Sequence, residues 1–218
     1  MEQYVAKVRG HAVAFYSYVD SPGFMSKVRQ LERFFERLPD RHLAALYPIF
    51  AMENKPGGRA GGGTWRPDEV RSNFSRPGHE RNTGIPFSEF ERLVLPYNQG
   101  VIGLSRDRWE RPMGRLEFTV MHEVGHCIDS AFGPSGLLPR RVREADFEGM
   151  ATNRCGAGGA MTRRAVEAYA RMICRPSRVF HNRPLRESAA HANERLIGAL
   201  RRSPAFRDVP EAWMPTGN

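Results

Sequence analysis

The stretch TVMHEVGHCID, residues 119–129, contains two histidines four residues apart, with a glutamate directly after the first. On a helix, residues i and i+4 lie on the same face one turn apart, so His122 and His126 can direct both imidazoles to one point. Glu123 then lies beside that point. Two imidazoles with an adjacent carboxylate are the pattern of a zinc-binding catalytic helix.

The apolar residues around this motif predict a helix from about Met113 to Phe132. Leu116 and Val120 precede the histidines and Ile128 follows them at helical spacing, and the segment GPSGLLP ends the pattern. Such a helix is half buried, and two histidines and a carboxylate on it require a reason. The alternative is an ordinary helix with coincidental histidines, and the surrounding pattern favours the metal site.

A catalytic zinc ion needs three protein ligands and one open position. Zinc lowers the pKa of a bound water from about 15.7 to about 7, so a carboxylate is a sufficient base to accept its proton. The sequence therefore predicts Zn²⁺ as the cofactor, His122 and His126 as two of its ligands, and Glu123 as the general base.

The third ligand must come from the residues that follow the motif. The candidates are Asp129, Glu144, Asp146, Glu148, Glu167, His181 and His191. Asp129 lies three residues after His126 on the same helix, so we expect it to orient a histidine rather than to bind the metal.

Glu167 is the favoured third ligand. It lies near the edge of the apolar face of a predicted helix over residues 162–174, and a carboxylate on a core helix needs a partner. The alternative is a surface glutamate paired with Arg163 or Arg171. The segment 144–148 stays open as another source of the ligand.

The rest of the chain predicts a single α+β domain over residues 1–218, with a small sheet between an N-terminal helix and later helices. The expected elements are a helix over 24–46 with Ser26 as its N-cap, a strand within YPIFAME (47–53), a glycine-rich loop or hairpin from residue 54 to 69, an exposed polar loop over 66–84, a short helix within IPFSEFERLVLP (85–96), a strand GVIGLS (100–105), and a last helix over 185–202.

The composition describes a chain with enough apolar residues for a core. It has 218 residues, 40% of them hydrophobic, but no apolar run of about eighteen residues, so no membrane span is expected. We find no pattern of a secretory signal peptide at the start. The formal net charge is +9, but the arginines are scattered, which favours a solvated surface over a nucleic-acid site. The odd number of cysteines predicts reduced thiols.

The motif HEVGHCID and the segment EAYARMI together resemble the zincin metallopeptidases, in particular their short, lethal-factor-like group. Members of that group have the pattern HExxH-x-x-D and a helix of the type E-x-[FY]-A some forty residues later. Here the second histidine and Glu167 are separated by 167 − 126 = 41 residues. The resemblance covers roughly residues 25–180 and extends to the glycine-rich AGGG and to GVIGLS.

This resemblance implies a zincin-like fold: a small twisted sheet, an active-site helix and C-terminal helices. His122, His126 and Glu167 would be zinc ligands, Glu123 the general base, and GVIGLS the edge strand that pairs with an extended peptide substrate. Two features differ. The tyrosine that stabilises the oxyanion in the lethal-factor type corresponds to Ala160 here, which leaves Tyr169, His181 and His191 as candidates. The thermolysin-like aspartate corresponds to Arg171.

The sequence therefore predicts a zinc-dependent endopeptidase that acts on a protein or peptide substrate. We expect a monomer, and the resemblance suggests a bacterial toxin or effector, secreted without a classical signal peptide or else cytoplasmic. The alternatives are a basic nucleic-acid-associated protein or protease with a zincin core, and a non-proteolytic zinc hydrolase on the same core.

Overall fold

The structure is a computed structural model that describes residues 1–131 and Ala170. The described residues form a five-stranded sheet and seven helices, which confirms the predicted α+β class. The strands are β1 (Glu2–Val8), β2 (His11–Ser17), β3 (Ile49–Met52), β4 (Gly62–Trp65) and β5 (Val101–Ser105), and the helices are α1 (Phe24–Phe35), α2 (Asp40–Ala44), α3 (Pro67–Phe74), α4 (His79–Thr83), α5 (Phe87–Leu93), α6 (Arg106–Trp109) and α7 (Met113–Ala131).

The sheet is mixed and has the strand order β1-β2-β3-β5-β4. Strand β1 pairs antiparallel with β2, the pairs β2–β3 and β3–β5 are parallel, and β4 runs antiparallel to β5. The expectation that GVIGLS is the edge strand is therefore wrong, since β5 has a partner on each side. All five residues of β5 are buried, as in a central strand that is covered on both faces. Among the described strands, β1 and β4 lie at the two edges of the sheet.

Helices cover both faces of the sheet and produce two hydrophobic clusters. On one face, α1 and α7 pack against alternate strand residues such as Phe15, Ile49 and Ile102. On the other face, α3 and α5 pack against the residues between them, such as Phe50 and Val101. Strand β3 is buried at every position because it has helices on both sides, which explains its continuous apolar sequence.

The predicted helix over 24–46 is two helices. Helix α1 ends at Phe35 and α2 begins at Asp40, because Pro39 has an extended ψ of 150° and disfavours helical geometry at the residue before it. Ser26 is not the N-cap. The N-cap is Gly23, three residues before Ser26, and α1 begins at Phe24. Gly23 has a φ of 83°, the left-handed conformation that glycine adopts readily.

The predicted exposed loop over 66–84 contains α3 and α4. Helix α3 starts with Pro67 in its first turn, and the backbone N–H of Arg66 donates to Glu69 Oε2 at 3.0 Å. Val70 and Phe74 are fully buried at i and i+4. Two apolar residues are thus enough to hold this polar helix to the sheet.

The N-terminal hairpin is an element that the sequence analysis does not predict. Strands β1 and β2 are joined through Arg9 and Gly10, both with positive φ, as in the two-residue turns that suit the twist of a hairpin. The predicted strands at 47–53 and 100–105, the short helix within 85–96 and the helix from Met113 are confirmed. None of the described helices is long and apolar enough to cross a membrane.

The predicted helix over 185–202 lies outside the described residues, and so does the helix over 162–174 apart from one position. Ala170 is helical and fully buried, and it belongs to the same hydrophobic cluster as Val120, Val124 and Ile128 of α7. At this one position the structure agrees with the predicted helix over 162–174 and its apolar face.

Candidate active site on helix α7 and strand β4

Helix α7 holds the candidate site against the sheet through its apolar side. Leu116, Val120, Val124, Cys127 and Ile128 are fully buried at helical spacing in the cluster under the sheet. The helix also packs against β4, the strand at the edge. The motif residues are therefore carried by a rigid element and not by a loop.

The two motif histidines lie side by side on this helix, and both are partly exposed. The ring centroids of His122 and His126 are 5.1 Å apart, and the ring planes are inclined by 74°. A tetrahedral ion about 2.1 Å from one nitrogen of each ring would place the two centroids roughly 5 Å apart. The spacing of the two imidazoles therefore fits a shared zinc ion.

Glu123 points from α7 toward β4 and is only 5% exposed. The hydroxyl of Thr64 lies 2.9 Å from Glu123 Oε2 and 3.1 Å from the Glu123 carbonyl oxygen, and it can donate to either. Burial raises the pKa of the Glu123 carboxyl to about 7, against the lowering effects of the Thr64 hydrogen bond and the charge of Lys55. A cation bound by the neighbouring histidines would bring this raised pKa down.

Strand β4 gives the glutamate room because it has no side chain at Gly62. A Cβ at Gly62 would lie 2.6 Å from Glu123 Oε1, closer than any real contact allows. The side chain of Lys55 passes next to this strand, with its Cδ 3.5 Å from the place of a Cβ at Gly61. The carboxylate thus lies between Gly62 and Thr64, with a cationic group nearby.

Contacts on the opposite face of β4 explain why Gly63 is a glycine. The Trp65 ring lies over Gly63 and over Gly103, its partner in β5, and a Cβ at Gly103 would lie 2.7 Å from Trp65 Cζ3. Trp65 also packs edge-on against Phe74 of α3. Alternate residues of β4 therefore serve the two faces, and the strand is fixed from both sides.

The remaining predicted site residues cannot be placed in this arrangement. The side chain of Asp129, and Glu144, Asp146, Glu148, Glu167, Tyr169, His181 and His191 as a whole, lie outside the described residues. Within the part of the chain that the structure describes, no group of three or more His, Cys, Asp or Glu side chains is close enough to hold a metal. The described site therefore contains two of the three expected ligands and the expected base.

Three residues of the site, Lys55, Gly62 and Thr64, are missed by sequence reasoning. Their signal is weak, because a run of glycines before a threonine indicates only a loop or hairpin. The contact with Glu123 arises because the tertiary fold packs β4 against α7. Cys127 agrees with the prediction of a buried, reduced cysteine: it is fully buried, and burial raises the pKa of its thiol.

Comparison with known proteins identifies no relative, since no family model, no curated protein and no solved structure matches the chain.

Proposed function

We propose that this chain is a zinc-dependent endopeptidase with a zincin-like fold. The observation that carries the proposal is Glu123, which follows His122 on α7, is buried, and accepts a hydrogen bond from Thr64 of β4. A buried carboxylate beside two imidazoles at metal-binding distance is the arrangement expected of a general base at a catalytic metal.

The proposed metal ligands are His122 and His126, with Glu167 as the third. Support for Glu167 comes from its neighbour Ala170, which is buried in the cluster that contains α7. Zinc bound there would act as a Lewis acid on the scissile carbonyl and promote attack by water. The three protein groups would fix its position and leave one coordination site open.

Glu123 is proposed to move the proton. Its carboxylate accepts a proton from the attacking water and passes it to the nitrogen of the leaving amine, which is general base and then general acid catalysis by one group. Burial between α7 and β4 keeps competing water away from the carboxylate. The oxyanion donor is proposed to come from Tyr169, His181 or His191.

The proposed substrate site is the edge of β4 that no described strand pairs with. The N–H of Ser105 donates to the Gly61 carbonyl at 2.9 Å, and residues that bond across an antiparallel pair alternate with residues that do not. By this alternation, the backbone groups of Gly62 and Thr64 point away from β5. An extended peptide can pair with them, and its scissile bond would then lie beside Glu123.

Cleavage profiling tests the proposal. The zinc-loaded chain is incubated with a degenerate decapeptide library, and new termini are identified by mass spectrometry. We expect internal cleavage that stops when zinc is removed and returns when zinc is restored. If the zinc-loaded chain cleaves no peptide but hydrolyses simple esters or amides, it is a non-proteolytic hydrolase and the endopeptidase proposal is wrong.

Backbone methylation of a cleaved peptide tests the edge-strand site. An N-methyl group removes the donor at one residue, and only every second residue of a paired strand faces β4. We therefore expect cleavage to be lost for methylation at alternate residues and kept at the residues between them. Equal effects at successive positions would contradict pairing with β4.

A further inference from the structure

The carboxylate of Glu123 is held by one strand from two directions. The Thr64 hydroxyl is 2.9 Å from Oε2, and the backbone of Gly62 leaves space for Oε1 that a methyl group would occupy. Both residues are on the same face of β4, two positions apart. The Thr64 hydrogen bond can therefore orient the carboxylate, and the missing side chain at Gly62 lets it lie close to β4.

A general base acts only within hydrogen-bond distance of the proton that it accepts. Glutamate has a flexible side chain, and fixing it in one rotamer avoids the cost of ordering it in each turnover. Val120 and Val124, which lie near Glu123 on α7, are apolar and carry no donor. The hydroxyl of Thr64 is the group that can supply this orientation.

We propose that Thr64 is a positioning residue, which orients the Glu123 carboxylate for proton transfer, and that Gly62 is required to make room for it. This inference rests on the proposed endopeptidase function. Strand β4 would then connect the substrate and the general base. Its outward backbone groups would pair with the peptide, and its Thr64 side chain would hold Glu123. Substrate pairing and base orientation then depend on the same four residues, Gly62–Trp65.

A merely structural contact between β4 and α7 is the competing explanation. It predicts that a change at Thr64 raises KM through weaker substrate binding and leaves kcat nearly unchanged. A positioning role predicts a loss in kcat, with KM and zinc content nearly unchanged, and recovery by a residue that keeps the hydroxyl. These outcomes differ, so kinetics can separate the two roles.

The test compares Thr64→Val, which keeps the shape but lacks the hydroxyl, with Thr64→Ser, which keeps the hydroxyl. The control is Thr119→Val on α7, since Thr119 donates to the Arg115 carbonyl of its own helix. With a decapeptide that the wild type cleaves, we expect Thr64→Val to lower kcat by about 10- to 100-fold, and Thr64→Ser to recover most of it. KM should change by about twofold or less.

A double variant shows whether Thr64 acts through Glu123. In a Glu123→Gln background, Thr64→Val should cause little further loss of kcat, because residues that act as a unit are not additive. Gly62→Ala should give the same selective loss of kcat, while Gly57→Ala, with open space at its Cβ, should not. Gly62→Ala also keeps the test valid if Thr64→Val fails to fold.

Unfolding of the zinc-free protein tests the contact between Thr64 and Glu123 without any measurement of activity. Thr64→Val should lower the unfolding midpoint in the wild-type background and lower it less in a Glu123→Ala background, since the buried carboxylate is then gone. Additive midpoints would overturn the contact. Full kcat in Thr64→Val would overturn the positioning role alone, whereas a wild type that cleaves no peptide would overturn the proposed function.

Discussion

The imidazole rings of His122 and His126 lie one helical turn apart on α7, with their centroids separated by 5.1 Å. This separation matches two ligands of one tetrahedral ion. Because α7 is fixed by its buried side against the sheet, the two rings would already be oriented for a metal ion that binds them. Preorganisation of this kind reduces the cost of ordering the ligands on binding.

We expect the purified chain to hold about one zinc per molecule, and His126→Ala to lose most of it, because a catalytic site with only two protein ligands binds weakly. Zinc is measured by elemental analysis after dialysis. His11→Ala is the control, since His11 begins β2 and is not part of the motif. A folded, active wild type without zinc would contradict the proposal.

Replacement of the base should separate metal binding from catalysis. Glu123→Gln keeps the length and an acceptor for Thr64 but cannot take up the proton, so we expect activity to fall by about 10² or more. Zinc content and the unfolding midpoint should not fall. Glu117→Gln on the same helix is the control for a loss of one charge, and unchanged peptidase activity in Glu123→Gln would remove Glu123 from the mechanism.

The elements that can be predicted are those whose own sequence is sufficient to specify them. Helix α7 has apolar residues at helical spacing over 19 residues, and β5 is a short apolar run between glycines. Strand β4 has no such pattern. Its glycines are explained only by what approaches them, Glu123 on one face and Trp65 on the other, and these contacts arise from the tertiary fold.

The residues of the site also divide into those predicted from local sequence and those that depend on the tertiary fold. His122, Glu123 and His126 are local in sequence, so helical geometry alone brings them together. Thr64 is 59 residues before Glu123, and nothing in the sequence between them gives the distance in space. The expectation from the resemblance that GVIGLS is the edge strand is wrong for the same reason, because strand order depends on long-range pairing.

The bond between Tyr18 and Glu89 predicts a pH-dependent contribution to stability. The Tyr18 hydroxyl donates to Glu89 Oε2 at 2.7 Å, and Arg92 donates to the same oxygen at 2.9 Å. The Tyr18 hydrogen bond, followed by that of Arg92, holds the pKa of Glu89 below its usual value. A carboxylate with a lowered pKa stabilises the fold above its unfolded-state pKa, and this contribution is lost as the pH falls through its folded value.

Tyr18→Phe should therefore lower the free energy of unfolding at pH 7 by about 1 kcal/mol, and by less as the pH falls below the ordinary pKa of glutamate and through the lowered pKa of Glu89. Urea unfolding over a pH series measures the difference between variant and wild type. Tyr97→Phe, at an exposed tyrosine, is the control and should have no effect. A loss of equal size at every pH would mean that the charge of Glu89 is not involved.

The prediction that Glu167 is the third metal ligand tests whether the resemblance to zincins extends beyond the motif. Glu167 is 41 residues after His126, and its neighbour Ala170 is buried in the same cluster as α7. If Glu167 binds zinc, Glu167→Ala leaves two histidines and should lower the zinc content sharply. The melting temperature should fall as well, because bound metal stabilises the folded state in proportion to RT ln(1 + [L]/Kd).

A surface pairing of Glu167 with Arg163 or Arg171 predicts a different result, a loss of about 0.3–0.5 kcal/mol with zinc unaffected. Zinc content and melting temperature are measured for Glu167→Ala beside three matched variants, Glu144→Ala, Asp146→Ala and Glu148→Ala. Full zinc in Glu167→Ala with loss in one of the other three would place the ligand in the 144–148 segment. The ligand spacing would then differ from that of the zincins, and the peptidase proposal would rest on the histidines, Glu123 and the edge of β4 that is unpaired among the described strands.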